Sequence, residues 1–209
     1  EQVVNLIVDS QTTSIPEGLA FGSMYLQSVH FEGKKLDSIG NYAFKCCYEL
    51  STISLSGMDI GYIGEYAFED CGELESLAID ETATIRSLGV GCFQGSGLVS
   101  TGLDHVTGLA SIPDDAYSGC WLLTDTGLAG NQSIESIGNS AFAYCYKLTD
   151  TGLGANTRVT SIGNYAFQKC QSLRLSGLET NTTVSSLGDG CFEGADMSGG
   201  LVLPYGSKI

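Results

Sequence analysis

A repeat of 23 to 25 residues constrains this chain of 209 residues more than any other feature. The segment Ser38-Ile39-Gly40-Asn41-Tyr42-Ala43-Phe44 returns as Tyr62-Ile63-Gly64-Glu65-Tyr66-Ala67-Phe68. Two further close copies are Ser136-Ile137-Gly138-Asn139-Ser140-Ala141-Phe142 and Ser161-Ile162-Gly163-Asn164-Tyr165-Ala166-Phe167. Looser copies end at Phe93, Tyr117 and Phe192, and a first copy, one residue longer, ends at Phe21. Most copies continue with a cysteine three residues after the aromatic anchor (Cys47, Cys71, Cys120, Cys145, Cys170) and a leucine three further on (Leu50, Leu74, Leu123, Leu148, Leu173). One such turn cannot bury its own apolar side. Stacked turns bury one another's, which predicts parallel strands and a continuous core.

The last residues of the stretch Leu50-Ser51-Thr52-Ile53-Ser54-Leu55 alternate in and out, which predicts strand geometry there and in its equivalents. Eight turns at a strand spacing of ~4.8 Å make a body roughly 40 Å long. The chain therefore reads as a single domain over 1–209, with an atypical N-terminal turn 1–37, a terminal turn 186–209 and little regular helix. The 28 glycines follow no three-residue period, so they mark tight turns and not collagen.

The pattern S-I-G-x-x-A-F-x-x-C-x-x-L resembles the BspA-like subgroup of leucine-rich repeats, from about Ser14 to Leu203. The resemblance implies a leucine-rich-repeat solenoid. It also implies a surface or secreted protein of a host-associated bacterium, one that adheres to host matrix proteins or to other microbes. Some copies depart from the pattern. Cys92 and Cys191 stand before the anchor, with Ser96 and Ala195 in the usual cysteine slot, and Pro16 and Pro113 replace the glycine.

Composition excludes several other classes. A net charge of -15 repels phosphate backbones, so nucleic acid is not an expected partner. No apolar run approaches the ~20 residues of a membrane span, so no membrane insertion is expected within this chain. Starting at Glu1 and not Met, the chain reads as a mature or trimmed form. A missing signal peptide therefore does not argue for the cytoplasm. Five of the eight cysteines share one repeat position and point the same way, whereas a disulfide needs converging Cβ vectors. Free, apolar thiols are the expectation. Paired C-x-x-C ligands for zinc are absent, and no cofactor is expected.

Catalytic constellations are equally hard to find. His30 and His105 have no partner at a fixed spacing, and no nucleophile-elbow motif accompanies them. Asp114 and Asp115 fall short of the six to eight oxygens of a calcium cage. The sequons Asn131-Gln132-Ser133 and Asn181-Thr182-Thr183 matter only in a glycosylating host.

Alternation along the predicted strands points outward Thr52 and Ser54, Ser76 and Ala78, Ser100 and Gly102, Asp125 and Gly127, Asp150 and Gly152, and Leu175 and Gly177. That column is small, flat and mildly acidic, and lacks the Trp, Tyr and Arg anchors of binding hot spots. Larger side chains lie four residues past the anchors, where Tyr48, Trp121 and Tyr146 occur. Trp121 and Tyr146 belong to neighbouring turns and are expected to stack, with Tyr144 close by. Two readings stay open for these three aromatics: an exposed platform for a protein or glycan partner, or a cover over the core. For the whole chain the corresponding readings are an extracellular or cell-surface recognition module, or a structural spacer within a larger surface protein.

Overall fold

The computed structural model describes residues 4–174 and 176–196. The chain winds into a parallel solenoid of stacked turns. The recurrent strand is the Ser-Ile pair that precedes each anchor. It appears as β2 (Ser14–Ile15), β4 (Lys35–Ile39), β6 (Asp59–Ile63), β7 (Thr84–Leu88), β8 (Ser111–Ile112), β9 (Ser136–Ile137), β10 (Ser161–Ile162) and β11 (Ser186–Leu187). These form two parallel ribbons, β2-β4-β6-β7 and β8-β9-β10-β11, with isoleucine or leucine of each turn in register. A smaller sheet at the N-terminal end orders β1 (Asn5–Val8), β3 (Ser28–Phe31) and β5 (Thr52–Ile53).

At the place of residues 50–55 a strand persists in the N-terminal turns as β1, β3 and β5, and it shrinks to an isolated Ser100–Asp125 bridge in the later ones. Local side-chain bonding displaces it. In later turns the central residue is Thr101, Thr126, Thr151 or Ser176, each fully buried. Its hydroxyl accepts the N–H of Leu103, Leu128, Leu153 or Leu178 two residues on, satisfying a donor that a sheet ladder would otherwise use. The intervening Gly127 takes φ +71°, which ends extended structure at that point.

The two ribbons separate at Pro113. Elsewhere the residue after the strand donates its N–H across the turns, as Gly138 does to Ile112 (2.8 Å) and Gly163 to Ile137 (2.8 Å). Proline has no N–H to offer Leu88, so the ladder stops between β7 and β8.

Around each anchor the backbone follows an alternating scheme. The N–H groups of Tyr42, Phe44 and Cys46 donate to the carbonyls of Glu65, Ala67 and Glu69 in the next turn, at 2.9, 2.8 and 2.8 Å. Ala43, Lys45 and Cys47 instead close turns onto Gly40, Tyr42 and Phe44. Left-handed backbone two residues before and two after the anchor makes this possible, as at Tyr42 (φ 56°) and Cys46 (φ 59°). The same bonds correct the first copy. Gly18, Ala20 and Gly22 donate to Asn41, Ala43 and Lys45, so Ala20, and not Phe21, occupies the anchor position. Phe21 lies outside the core and is 57% exposed.

The anchors form an aromatic stack, buried from Phe44 through Phe68, Phe93, Tyr117 and Phe142 to Phe167 and ending on the half-buried Phe192. Ring centroids are 5.2–5.4 Å apart and the planes lie within 16° of parallel. Beside it run columns of leucine, of alanine and of cysteine, all buried. Each column thiol donates to the anchor carbonyl of the preceding turn, from Cys47 to Ala20 (3.1 Å) through Cys71 to Phe44 (3.2 Å) and on to Cys170 with Phe142 (3.2 Å). All eight cysteines are free thiols. The turn expected over 186–209 is described only as far as residue 196.

Two results are expected from this packing. A Cβ on Gly163 would sit 2.6 Å from the backbone nitrogen of Asn139, whereas one on Gly72 would meet nothing within 4 Å. Gly163→Ala should lower stability by about 1–3 kcal/mol and Gly72→Ala should stay within about 0.5 kcal/mol, read from denaturant midpoints. Equal effects would refute the close turn-to-turn approach. The buried Tyr117 hydroxyl has no hydrogen-bond partner among the described residues. Tyr117→Phe should therefore raise stability by about 1–3 kcal/mol in the same assay, and a loss of stability would show that the hydroxyl is satisfied.

Candidate ligand-binding edge

The lateral edge begins at the left-handed residue two past each anchor. Glycine fills that position in several turns, and Tyr144 fills it with φ 62°, a conformation costly for a side chain with a Cβ. An inter-turn bond from its N–H to the Gln168 carbonyl (2.7 Å) holds it there. Trp121, Tyr144 and Tyr146 are 45%, 41% and 43% exposed. The rings in contact are Tyr144 and Tyr146 of one turn, edge to face with centroids 6.3 Å apart and planes at 77°. The expected stacking of Trp121 on Tyr146 is not among the ring contacts of the described residues, and Tyr146 instead meets Tyr144 of its own turn.

The same edge carries a feature at its N-terminal end that the repeat pattern did not single out. Met24, Tyr25, Gln27, Tyr48 and Glu49 line an open groove of about 440 Å³. Ala20 anchors the first turn, so Met24 falls four residues past the anchor and shares a column with Tyr48, Trp121 and Tyr146. The corrected anchor was the missing signal.

The opposite column is smaller than alternation predicts. Thr52, Ser54, Ser76, Ala78, Asp125 and Asp150 are exposed, but Gly127 and Gly177 are buried and Gly102 and Gly152 half-buried. Leu175 lies outside the described residues. The carboxylates of Asp125 and Asp150 each accept the N–H two residues on, from Gly127 and Gly152, at 2.9 Å.

Other singled-out residues are held in structural roles. His30 is exposed on β3, while His105 pairs with its neighbour Asp104 at 3.0 Å in a short 3-10 turn, Leu103–His105. Both carboxylate oxygens of Asp114 accept from Asn139, at 2.7 and 3.0 Å. Among the described residues no group of three or more His, Cys, Asp or Glu could hold a metal ion.

The sequon asparagines belong to a buried ladder that the sequence reading missed. The Asn131 amide donates to the carbonyls of Leu103 (2.7 Å) and Val106 (2.9 Å). Asn156 repeats this with Leu128 and Asn131, and Asn181 with Leu153 and Asn156. With both amide hydrogens engaged and the residues buried, Asn131 and Asn181 cannot serve as glycan acceptors in the folded chain. The signal was the recurrence of asparagine three residues after Leu128, Leu153 and Leu178.

Burial also removes seven of the eight thiols as nucleophiles. It pushes Cys120 and Cys170 up to about 12, Cys47 and Cys191 to about 11, and Cys71, Cys92 and Cys145 well above the ordinary range.

Leucine columns, one parallel strand per turn and an asparagine ladder together define a leucine-rich-repeat solenoid. The family described as "BspA type Leucine rich repeat region (6 copies)" matches residues 2–124 and 92–204. The chain belongs to this BspA-type leucine-rich-repeat family. It is similar in fold to a leucine-rich repeat protein from Bacteroides ovatus, with a TM-score of 0.72 and 22% identity over 91% of this chain and 50% of that one. The present chain thus spans half the length of that protein. A leucine-rich repeat protein from Eubacterium ventriosum aligns with a TM-score of 0.54 and 16% identity, covering 97% of this chain and 78% of its own. The T. pallidum leucine-rich repeat protein aligns with a TM-score of 0.51 and 19% identity, covering 71% and 79% respectively. No curated protein matches the sequence. Among the described residues no helix is long and apolar enough to cross a membrane.

The thiol arrangement has a direct test. At pH 8 a thiol at about 12 holds about a thousandfold less reactive thiolate than a free one, so Cys120 and Cys170 should resist a thiol reagent in the native protein. Half-buried Cys46 should react first, and all eight should titrate after denaturation without reductant. Thiols that appear only after reduction would contradict the free-thiol columns.

Proposed function

We propose that the chain is an extracellular or cell-surface recognition module that binds a protein or glycan through the edge formed by Trp121, Tyr144 and Tyr146. The observation that carries this reading is the placement of three rings, each more than two-fifths exposed, on neighbouring turns of one edge. Rings that keep this much surface in water while their neighbours bury theirs are suited to a partner's apolar surface. Stacked repeats present extended surfaces of this kind and use them for binding. The histidines lie in different turns, and Asp114, Asp125 and Asp150 are committed to backbone or side-chain partners, so a binding role fits better than catalysis. The alternative, a spacer in a larger surface protein, draws support from the chain spanning only half the length of its Bacteroides ovatus relative.

A screen of the purified protein against matrix proteins and glycans supplies the ligand for the test. Trp121→Ala should then weaken binding about thirtyfold or more. The Asp125→Asn, Asp150→Asn double variant keeps the side-chain oxygen that accepts from Gly127 and Gly152, so it should change affinity by less than about threefold. The reverse pattern would move the site to the opposite column, and no binding to any member of the screen would favour the spacer.

A further inference from the structure

The aromatic edge has two ends. At one, Met24, Tyr25 and Tyr48 are each about half exposed around the groove that Gln27 and Glu49 complete. At the other stand Trp121, Tyr144 and Tyr146. Tyr48 and Trp121 share a column and are three turns apart, about 14 Å at the spacing of paired strands. The two positions between them are Gly72 and Gly97. The gap is built into the packing at Gly97, where a Cβ would lie 2.1 Å from the Gly72 carbonyl oxygen. A low floor of backbone therefore separates two raised aromatic platforms.

We propose that the groove at Tyr25 and Tyr48 is a second subsite of this edge, and that the ligand spanning both platforms is a linear, uncharged polysaccharide. The proposal rests on the reading of the edge as a binding surface and adds a subsite and a ligand class to it. A pyranose ring offers a C–H face that packs flat against an aromatic ring and a rim of hydroxyls that needs donors and acceptors. The groove provides both, with two tyrosine rings and a thioether beside a carboxamide and a carboxylate. Platforms separated by whole turns along one axis suit a ligand that itself repeats along an axis. Charge narrows the class. Glu49 is exposed in the groove and Asp70 and Glu73 along the edge between the platforms, and Lys45 is held by Glu69 at 2.5 Å. Lys147 beside Tyr146 does not offset a chain of net charge -15, which repels polyanions.

The test is affinity electrophoresis in native gels containing a soluble β-glucan, a mannan or a galactan, with polygalacturonate as the anionic comparison. At least one neutral polymer should retard the wild-type protein, and polygalacturonate should not. Tyr48→Ala and Trp121→Ala should each weaken that retardation about tenfold, while Gln171→Ala, in the same column beyond Tyr146, should leave it unchanged. Tyr48→Phe keeps the ring and should retain binding, which separates loss of the platform from loss of fold. If Trp121→Ala weakens binding and Tyr48→Ala does not, the second subsite is overturned while the reading of the edge stands. If no neutral polymer retards the protein, or polygalacturonate does so equally, the ligand class is overturned and the edge is left to protein partners.

Discussion

Backbone hydrogen bonds between consecutive turns fix a separation of one strand spacing, and every side chain must then fit against its own equivalent one turn away. This repeated self-contact selects the residues. Flat rings tolerate it by stacking offset and nearly parallel, from Phe44 to Phe192. Thiols tolerate it because each donates to the carbonyl below, so a column of cysteines costs no unsatisfied donor. Ser96 holds the slot in one turn and meets the sulfur of Cys120 at 3.3 Å. Where the backbones approach most closely, as at Gly163, a methyl group is already too large.

The same constraint is met differently along the chain. The N-terminal turns pair Val29 of β3 with Ile53 of β5 in an apolar sheet. From Thr101 onward the equivalent segment carries two polar ladders, with hydroxyls of Thr101, Thr126 and Thr151 donating one turn ahead at 2.6–2.8 Å and asparagine amides donating one turn back. Each threonine hydroxyl both donates and accepts, and each asparagine oxygen accepts backbone N–H groups, as Asn156 does from Arg158 and Val159 at 2.8 Å. Such ladders avoid the penalty of buried polar groups because every member is satisfied by its neighbour. Extending the stack repeats the same bonds, which suits a fold whose stability is the sum of nearest-neighbour interfaces.

A core consumed by self-contact leaves function to the residues that point away from it. On one side these are serines, glycines and aspartates tied to their own backbone. On the lateral edge they are rings and a groove. The edge owes its shape to the left-handed residue after each anchor, which turns the chain outward whether glycine or Tyr144 occupies it. Such an edge can carry different side chains in different turns because they take no part in the ladders, except where the backbones approach as closely as at Gly97.

How much was legible in the sequence follows from which contacts are periodic. The spacing of Phe44, Phe68 and Phe142 and of Cys47, Cys71 and Cys145 determined the solenoid, its stacked core and its unpaired thiols, because a fixed period places each residue over its equivalent. The period placed Trp121 and Tyr146 in one column, but their exposure, with that of Tyr144, came only from the folded stack, since the sequence left them equally able to cover the core. Alternation placed the strand at β5 but not in the later equivalents, since Thr126 and Thr151 hydroxyls capture N–H groups that a one-letter pattern assigns to a sheet. Phe21 looked like an anchor, but inter-turn bonds place Ala20 there and leave the phenylalanine outside. Only the folded stack could turn the Asn131 and Asn181 sequons into buried rungs, because their amides are bonded to carbonyls 25 and 28 residues away in sequence. Repetition fixed the period, and the tertiary structure decided which backbone group each side chain could reach.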